Sequence, residues 1–372
     1  MTEKEKKQAF PSLTGLRGIA CLCIVCYHYF CLYMDNPGLG TKALPFYPHS
    51  EFFFVYSKNA VELFFMLSGF LTAFHHRESI ASPSPGEYLK RRYGKLIIPS
   101  VIVNFWALIN AWITLRTVPG SDAWISPITP LRIVLSVLMV NTGWVTSYRQ
   151  TALPLNSTMW FVNVLLLCYL LYYLVCRLGR NHYLYLGACT VMVLIGWVCL
   201  EHPPRLPFLW GIDGRGYAPF FLGVLLCEFH VKADETVRKG LSVVWGVLIL
   251  GFLVIRQIIG FENIFGSIGG NAYVRYFEFV AAPGLLLAAL NLSPISRFLA
   301  WKPFVWLGML SGAIYYVHNN VMEDYYLLNS VLVSRINFSS GFVFLTMLVS
   351  IIPFAILWQH SERKLKKLVF RA

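Results

Sequence analysis

Apolar stretches of about 20 residues, separated by short polar connections, recur along the whole chain. A helix of that length crosses a hydrocarbon core of about 30 Å, so the pattern predicts an all-α polytopic membrane protein. Ten such segments are read, at 14–33, 57–75, 96–115, 158–176, 183–200, 216–229, 241–258, 272–291, 303–322 and 339–359. An eleventh stretch, 131–146, is short and holds Asn141, Thr142 and Gly143, which suits a re-entrant or interfacial helix better than a full crossing. No internal repeat or linker interrupts the pattern. Residues 1–372 therefore read as one membrane domain without an appended soluble domain.

Composition agrees. Of the 372 residues 57% are hydrophobic and only 13% charged, against about 25% charged in soluble chains. The net charge of +13 comes from basic clusters between the apolar segments. That is the placement expected for cytoplasmic loops of a membrane protein, and it argues against nucleic acid as a partner. With both termini cytoplasmic and ten crossings, 21 of the 31 basic residues fall on the inner side. An eleventh full crossing would place one basic terminus outside. The first apolar segment follows a basic start as a signal peptide does, but no small-residue cleavage site follows it and Arg17 and His28 lie within it, so it reads as a retained span.

The nine cysteines lie mostly inside apolar segments. Cys21, Cys23 and Cys26 are the one cluster, and helical neighbours two apart diverge by about 200°. They read as buried thiols rather than metal ligands, and no metal site is expected. The long outer connection 116–157 holds Trp124, Trp144, Tyr148 and Arg149. These fit an interfacial aromatic belt or a stacking surface for a sugar or lipid-linked acceptor.

Ionisable side chains inside a bilayer are expensive, about 2.5–3.5 kcal/mol at a helix centre, and each calls for a partner or a function. Arg17 and His28 in the first segment, Glu62 in the second and His318 in the ninth stand out. Arg17 and His28 are eleven residues apart, which brings both side chains to one helix face about 16.5 Å apart along the axis. Ala20, Cys21 and Ile24 lie between them on that face. The helix thus offers a slot with a cation at its cytoplasmic end and an imidazole beyond mid-membrane. The alternatives are a snorkelling Arg17 and a His28 bonded to a neighbouring helix.

The stretch from Leu13 to Ala20 around Arg17, running on to Tyr27 and His28, resembles the opening of the acyltransferase 3 family of integral-membrane acyltransferases, marked by an Arg, ten residues, then a His. Val61 to Phe70, with Glu62, Phe64, Phe65, Ser68 and Gly69, is similar to its second signature. Leu307 to His318, with Gly308, Ser311 and Tyr315, is similar to its late one. There are departures. Where many members carry Arg-x-x-Arg in the first cytoplasmic loop, this chain has Arg92 and Lys95, and lysine lacks the bidentate fork that suits phosphate. Where many carry Glu five residues after a Trp, Trp160 is followed by Leu165, and Asn163 sits about 200° from that face. The burden of base chemistry therefore shifts to His28 and to Glu62.

The resemblance implies an acyl-CoA donor, usually acetyl-CoA, and an acceptor hydroxyl on a surface glycan or lipid-linked carbohydrate handled at a bacterial plasma membrane. Lys90, Arg91, Arg92 and Lys95 form a cluster suited to the donor's phosphates, although topology alone also accounts for it. Arg17 then stands at the mouth of the slot, and His28 meets the thioester as general base or as covalent acyl carrier. Glu62 either orients His28 or balances Arg17. His318 contacts the donor or caps a polar network. Ser68 has no base at a diagnostic spacing, and Gly69 reads as a close-packing position. The competing functions are a permease or flippase of a small polar or lipid-linked molecule, for which no pair of inverted broken helices is found, and a non-catalytic partner in glycan assembly.

Overall fold

The computed structural model describes residues 10–34, 51–76, 83–118, 125, 127–145, 153–178, 181–203, 206–259, 272–332 and 340–369. Among these the chain is helical, with no strand. In chain order the helices are α1 (Pro11–Met34), α2 (Glu51–Tyr56), α3 (Ala60–His76), α4 (Pro85–Thr117), α5 (Pro130–Val137), α6 (Trp160–Leu178) and α7 (His182–Glu201). Then follow α8 (Gly211–Lys232), α9 (Glu235–Ile259), α10 (Ala272–Tyr276), α11 (Ala282–Asn291), α12 (Ser293–Leu299), α13 (Lys302–Leu332) and α14 (Ser340–Val369). A π-helical stretch, Phe277–Ala281, joins α10 to α11.

Among the described residues six segments are long and apolar enough to cross a membrane, namely Pro11–Cys31, Pro85–Thr117, Ser157–Arg177, His182–Glu201, Val274–Asn291 and Gly341–Lys364. The other four stretches read from the sequence lie on α3, α8, α9 and α13. The short helix expected near 131–146 is α5, and turns carry the chain from its end to Val145. Arg132 of α5 is buried and donates to the carbonyls of Leu153 and Pro154, both at 3.0 Å, which ties the helix to the returning chain. Trp144 donates to the carbonyl of Asn163 at 3.1 Å. Trp124, Tyr148 and Arg149 lie outside the described residues.

The contacts divide the chain into two compact units. The first is Met1–Ala20, Val61–Arg92 and Val164–Gly308, and the second is Cys21–Ala60, Tyr93–Asn163 and Met309–Ala372. In the first unit helices cross through glycine. A Cβ on Gly69 of α3 would strike the carbonyl of Phe220 in α8, and one on Gly223 of α8 would strike Met66 of α3. Gly15 meets the carbonyl of Leu299 in the same way, and Gly308 that of Thr14. Such backbone-to-backbone approach holds apolar helices together where lipid removes the hydrophobic drive. In the second unit a polar ladder does this work. Asn156 donates from its backbone to Asn104 at 3.0 Å and from its side chain to Asn320 at 3.1 Å, while Asn320 donates to the carbonyl of Val103 at 3.0 Å. Buried amides in hydrocarbon are stable only when paired like this.

Candidate functional site

Ser84 and Glu87 start α4 with a reciprocal cap: the Glu87 backbone donates to the Ser84 hydroxyl at 3.3 Å, and the Ser84 backbone donates to the Glu87 carboxylate at 3.1 Å. This fixes the phase of the basic run that follows. Lys90, Arg91 and Lys95 project as exposed side chains, whereas Arg92 is half-buried. Its guanidinium lies 4.5 Å from the centre of the Tyr169 ring and 5.5 Å from that of Tyr88, within cation–π range.

Arg92 lines a cavity of about 220 Å³ in the first unit, together with Arg17 of α1, Tyr169 of α6, and Leu67, Ser68, Leu71, Thr72 and His75 of α3. The α3 residues recur at helical spacing, so one face of that helix forms a wall. Two guanidiniums separated by 75 residues in sequence thus face one space, and Arg91 and Lys95 are not among its lining residues. The volume is below that of a site for a whole drug-sized ligand and suits one anionic portion of a larger molecule. Ser68 donates its hydroxyl to the carbonyl of Phe64 at 2.8 Å, an ordinary helix back-bond rather than a nucleophile's pairing.

Glu62, fully buried on α3, accepts from Arg215 Nε at 2.5 Å. Sequence alone does not mark Arg215: the apolar run reads from 216 onward, which makes Arg215 an outer-loop cation. Helix α8 begins earlier, at Gly211, with Asp213 accepting from the backbone of Trp210 at 2.9 Å, and Arg215 falls on its second turn. Glu278, on the π-helical stretch, also escaped notice. It is fully buried, neither carboxyl oxygen has a hydrogen-bond partner among the described residues, and it lies within electrostatic reach of Glu62, Arg215, Glu201 and Arg275.

In the second unit His28 of α1 packs edge-on against His318 of α13, with ring centres 5.1 Å apart. Two side chains of α13 turn toward this part of the unit: Tyr315 donates to the carbonyl of Thr158 at 2.5 Å, and His318 meets His28. The backbone carbonyl of Ser311 accepts from the Cys21 thiol at 3.5 Å. His318 Nδ1 sits against the carbonyls of Ile314 at 3.0 Å and Tyr315 at 2.8 Å. Carbonyls only accept, so that nitrogen carries the proton and Nε2 remains an acceptor. Nε2 is buried and has no hydrogen-bond partner among the described residues.

The structure therefore brings Arg17 and Arg92 to one cavity, pairs His28 with His318, and gives Glu62 an arginine partner. Leu165 is buried where the resemblance expects a carboxylate. Among the described residues no group of three His, Cys, Asp or Glu side chains forms a metal site. A protein-family model for an acyltransferase domain, acyltransferase 3, matches residues 10–358, which takes in α1 through most of α14 and every residue of the site described above. No curated protein and no solved structure matches the chain. With the match running through nearly its whole length, the chain belongs to the acyltransferase 3 family.

Proposed function

We propose that this protein moves an acyl group, acetyl in the first instance, from cytosolic acyl-CoA to a hydroxyl of a surface glycan or lipid-linked carbohydrate at a bacterial plasma membrane. The observation that carries the reading is the cavity shared by Arg17 and Arg92, because coenzyme A brings its phosphates to a membrane enzyme from the cytosolic side. Two guanidiniums offer charge-assisted, forked hydrogen bonds to a phosphate. Arg91 and Lys95 are assigned to the approach, as exposed cations that attract an anionic donor.

His28 is assigned the chemical step. Its imidazole takes the proton of the acceptor hydroxyl as that oxygen attacks the thioester carbonyl. The C–O bond forms, the C–S bond breaks, and the proton returns from the imidazole to the departing thiolate. No proton is gained or lost overall. His318 is assigned to the donor beside His28, and Glu62 is assigned to balancing a buried cation, the partner it meets being Arg215 of α8. Transfer of label from acetyl-CoA by the purified protein tests this function.

The reading needs a cytoplasmic donor side, and the basic split supports ten crossings with both termini there. Single cysteines introduced at 85 and 235 are expected to react with an impermeant maleimide only after permeabilisation, and one at 118 without it. External labelling at 85 would reverse the orientation and remove the cytosolic donor site.

A further inference from the structure

A second, larger cavity opens in the first unit. It encloses about 590 Å³, within the range of small-molecule sites. Its cations are Arg238 and Lys239 at the start of α9, and its uncharged donors include Ser12, Asn291, Ser293 and Ser296. Phe10 and Phe74 provide an aromatic wall, edge-to-face with ring centres 4.9 Å apart. Glu235 also lines the space, paired with Lys239 at 2.5 Å and within electrostatic reach of Arg238, so two cations face one carboxylate and the lining keeps a net positive charge. Arg238 donates through Nη1 to the carbonyl of His230 at 2.8 Å, and its Nε has no hydrogen-bond partner among the described residues. Asn291 is held in place by donating to the Ser242 hydroxyl at 3.1 Å.

We propose that this cavity binds the adenosine phosphate end of a nucleotide: the base against Phe10 and Phe74, the phosphate on Arg238 and the serine hydroxyls. Aromatic faces accept any base by stacking, and arginine matches a phosphate's geometry. The proposal rests on the acyl-CoA reading in one respect, the identity of the nucleotide. The two cavities are neighbours along the same helices. Phe74 of α3 lines one and His75 the other, while Ser12 and Arg17 of α1 do the same a turn and a half apart. A donor with its adenosine in the larger cavity then presents its pyrophosphate and arm to Arg17 and Arg92.

The probe is adenosine 3′,5′-bisphosphate, measured by calorimetry on the full chain in nanodiscs of phosphatidylcholine. Wild type is expected to bind, and Arg238→Ala to lose more than tenfold in affinity. Ser296→Trp, which fills the cavity and leaves Arg238 in place, is expected to lose binding as well, so the test survives a poorly folding arginine variant. Arg92→Ala is expected to retain the probe. Unchanged binding in both cavity variants, or binding lost only with Arg92→Ala, would overturn the assignment. So would Arg238-dependent binding of phosphatidylglycerol without any of the nucleotide, which would make this a lipid-headgroup site. Nucleotide binding that follows Arg238 in a protein without acyl transfer would leave this site standing and defeat the donor reading. Transfer that proceeds unchanged in Arg238→Ala would do the reverse.

Discussion

His28→Ala is expected to abolish acetyl transfer while leaving the thermal transition and donor affinity near wild type. The imidazole is half-buried against His318 on a helix that must lie in hydrocarbon, where an idle ionisable group is an unexplained cost. Removing a general base costs about 10²–10⁴ in rate, so the loss should be nearly complete in a standard assay. A merely packing histidine behaves differently, lowering stability and activity together. His28→Gln sharpens the distinction, since it keeps the approximate size and hydrogen bonding but takes up no proton near neutral pH. It should be as inactive as the alanine variant. If it keeps more than about a tenth of wild-type turnover, a barrier change under about 1.4 kcal/mol, His28 orients the substrate and the base is another group.

Arg17→Ala and Arg92→Ala carry the second large effect, this time on binding. Each is expected to weaken acyl-CoA more than tenfold, about 1.4 kcal/mol per decade. Because both guanidiniums line the same cavity, the double variant should fall short of the sum of the single losses. Arg91→Ala and Lys95→Ala, at exposed positions, should cost less and show their effect mainly at low ionic strength. Isothermal calorimetry or scintillation proximity with acetyl-CoA reads all four. Normal donor binding in Arg17→Ala and Arg92→Ala together would mean that the cations serve membrane topology alone.

Helical periodicity and hydropathy were enough to read the class, because a hydrocarbon solvent leaves helices as almost the only way to satisfy the backbone. They also marked the short α5, beyond whose end at Val137 Asn141, Thr142 and Gly143 interrupt the apolar run. Charge inside those runs pointed to Arg17, His28, Glu62 and His318. What stayed hidden were partners. Arg215 pairs with Glu62 from 153 residues away, and a loop cation and a second-turn helix cation look alike until the start of α8 is known. Glu278 was lost for a different reason: Val274–Asn291 remains apolar enough to span on average despite one carboxylate. Nor does spacing tell which face of α4 turns inward, so Arg92 could not be separated from Arg91 until Tyr169 and α3 were seen to enclose it. The His28–His318 contact joins residues at opposite ends of the chain and follows from packing alone.

The most direct test of the account is a stoichiometric one. Purified protein in proteoliposomes is given acetyl-CoA labelled in the acetyl group, together with a membrane extract containing lipid-linked glycans. The account predicts one free thiol released for each labelled acetyl found as an alkali-labile ester on carbohydrate, with both signals lost in His28→Ala. Label that accumulates inside the vesicles with no ester formed, or thiol release that persists unchanged in His28→Ala, would contradict it.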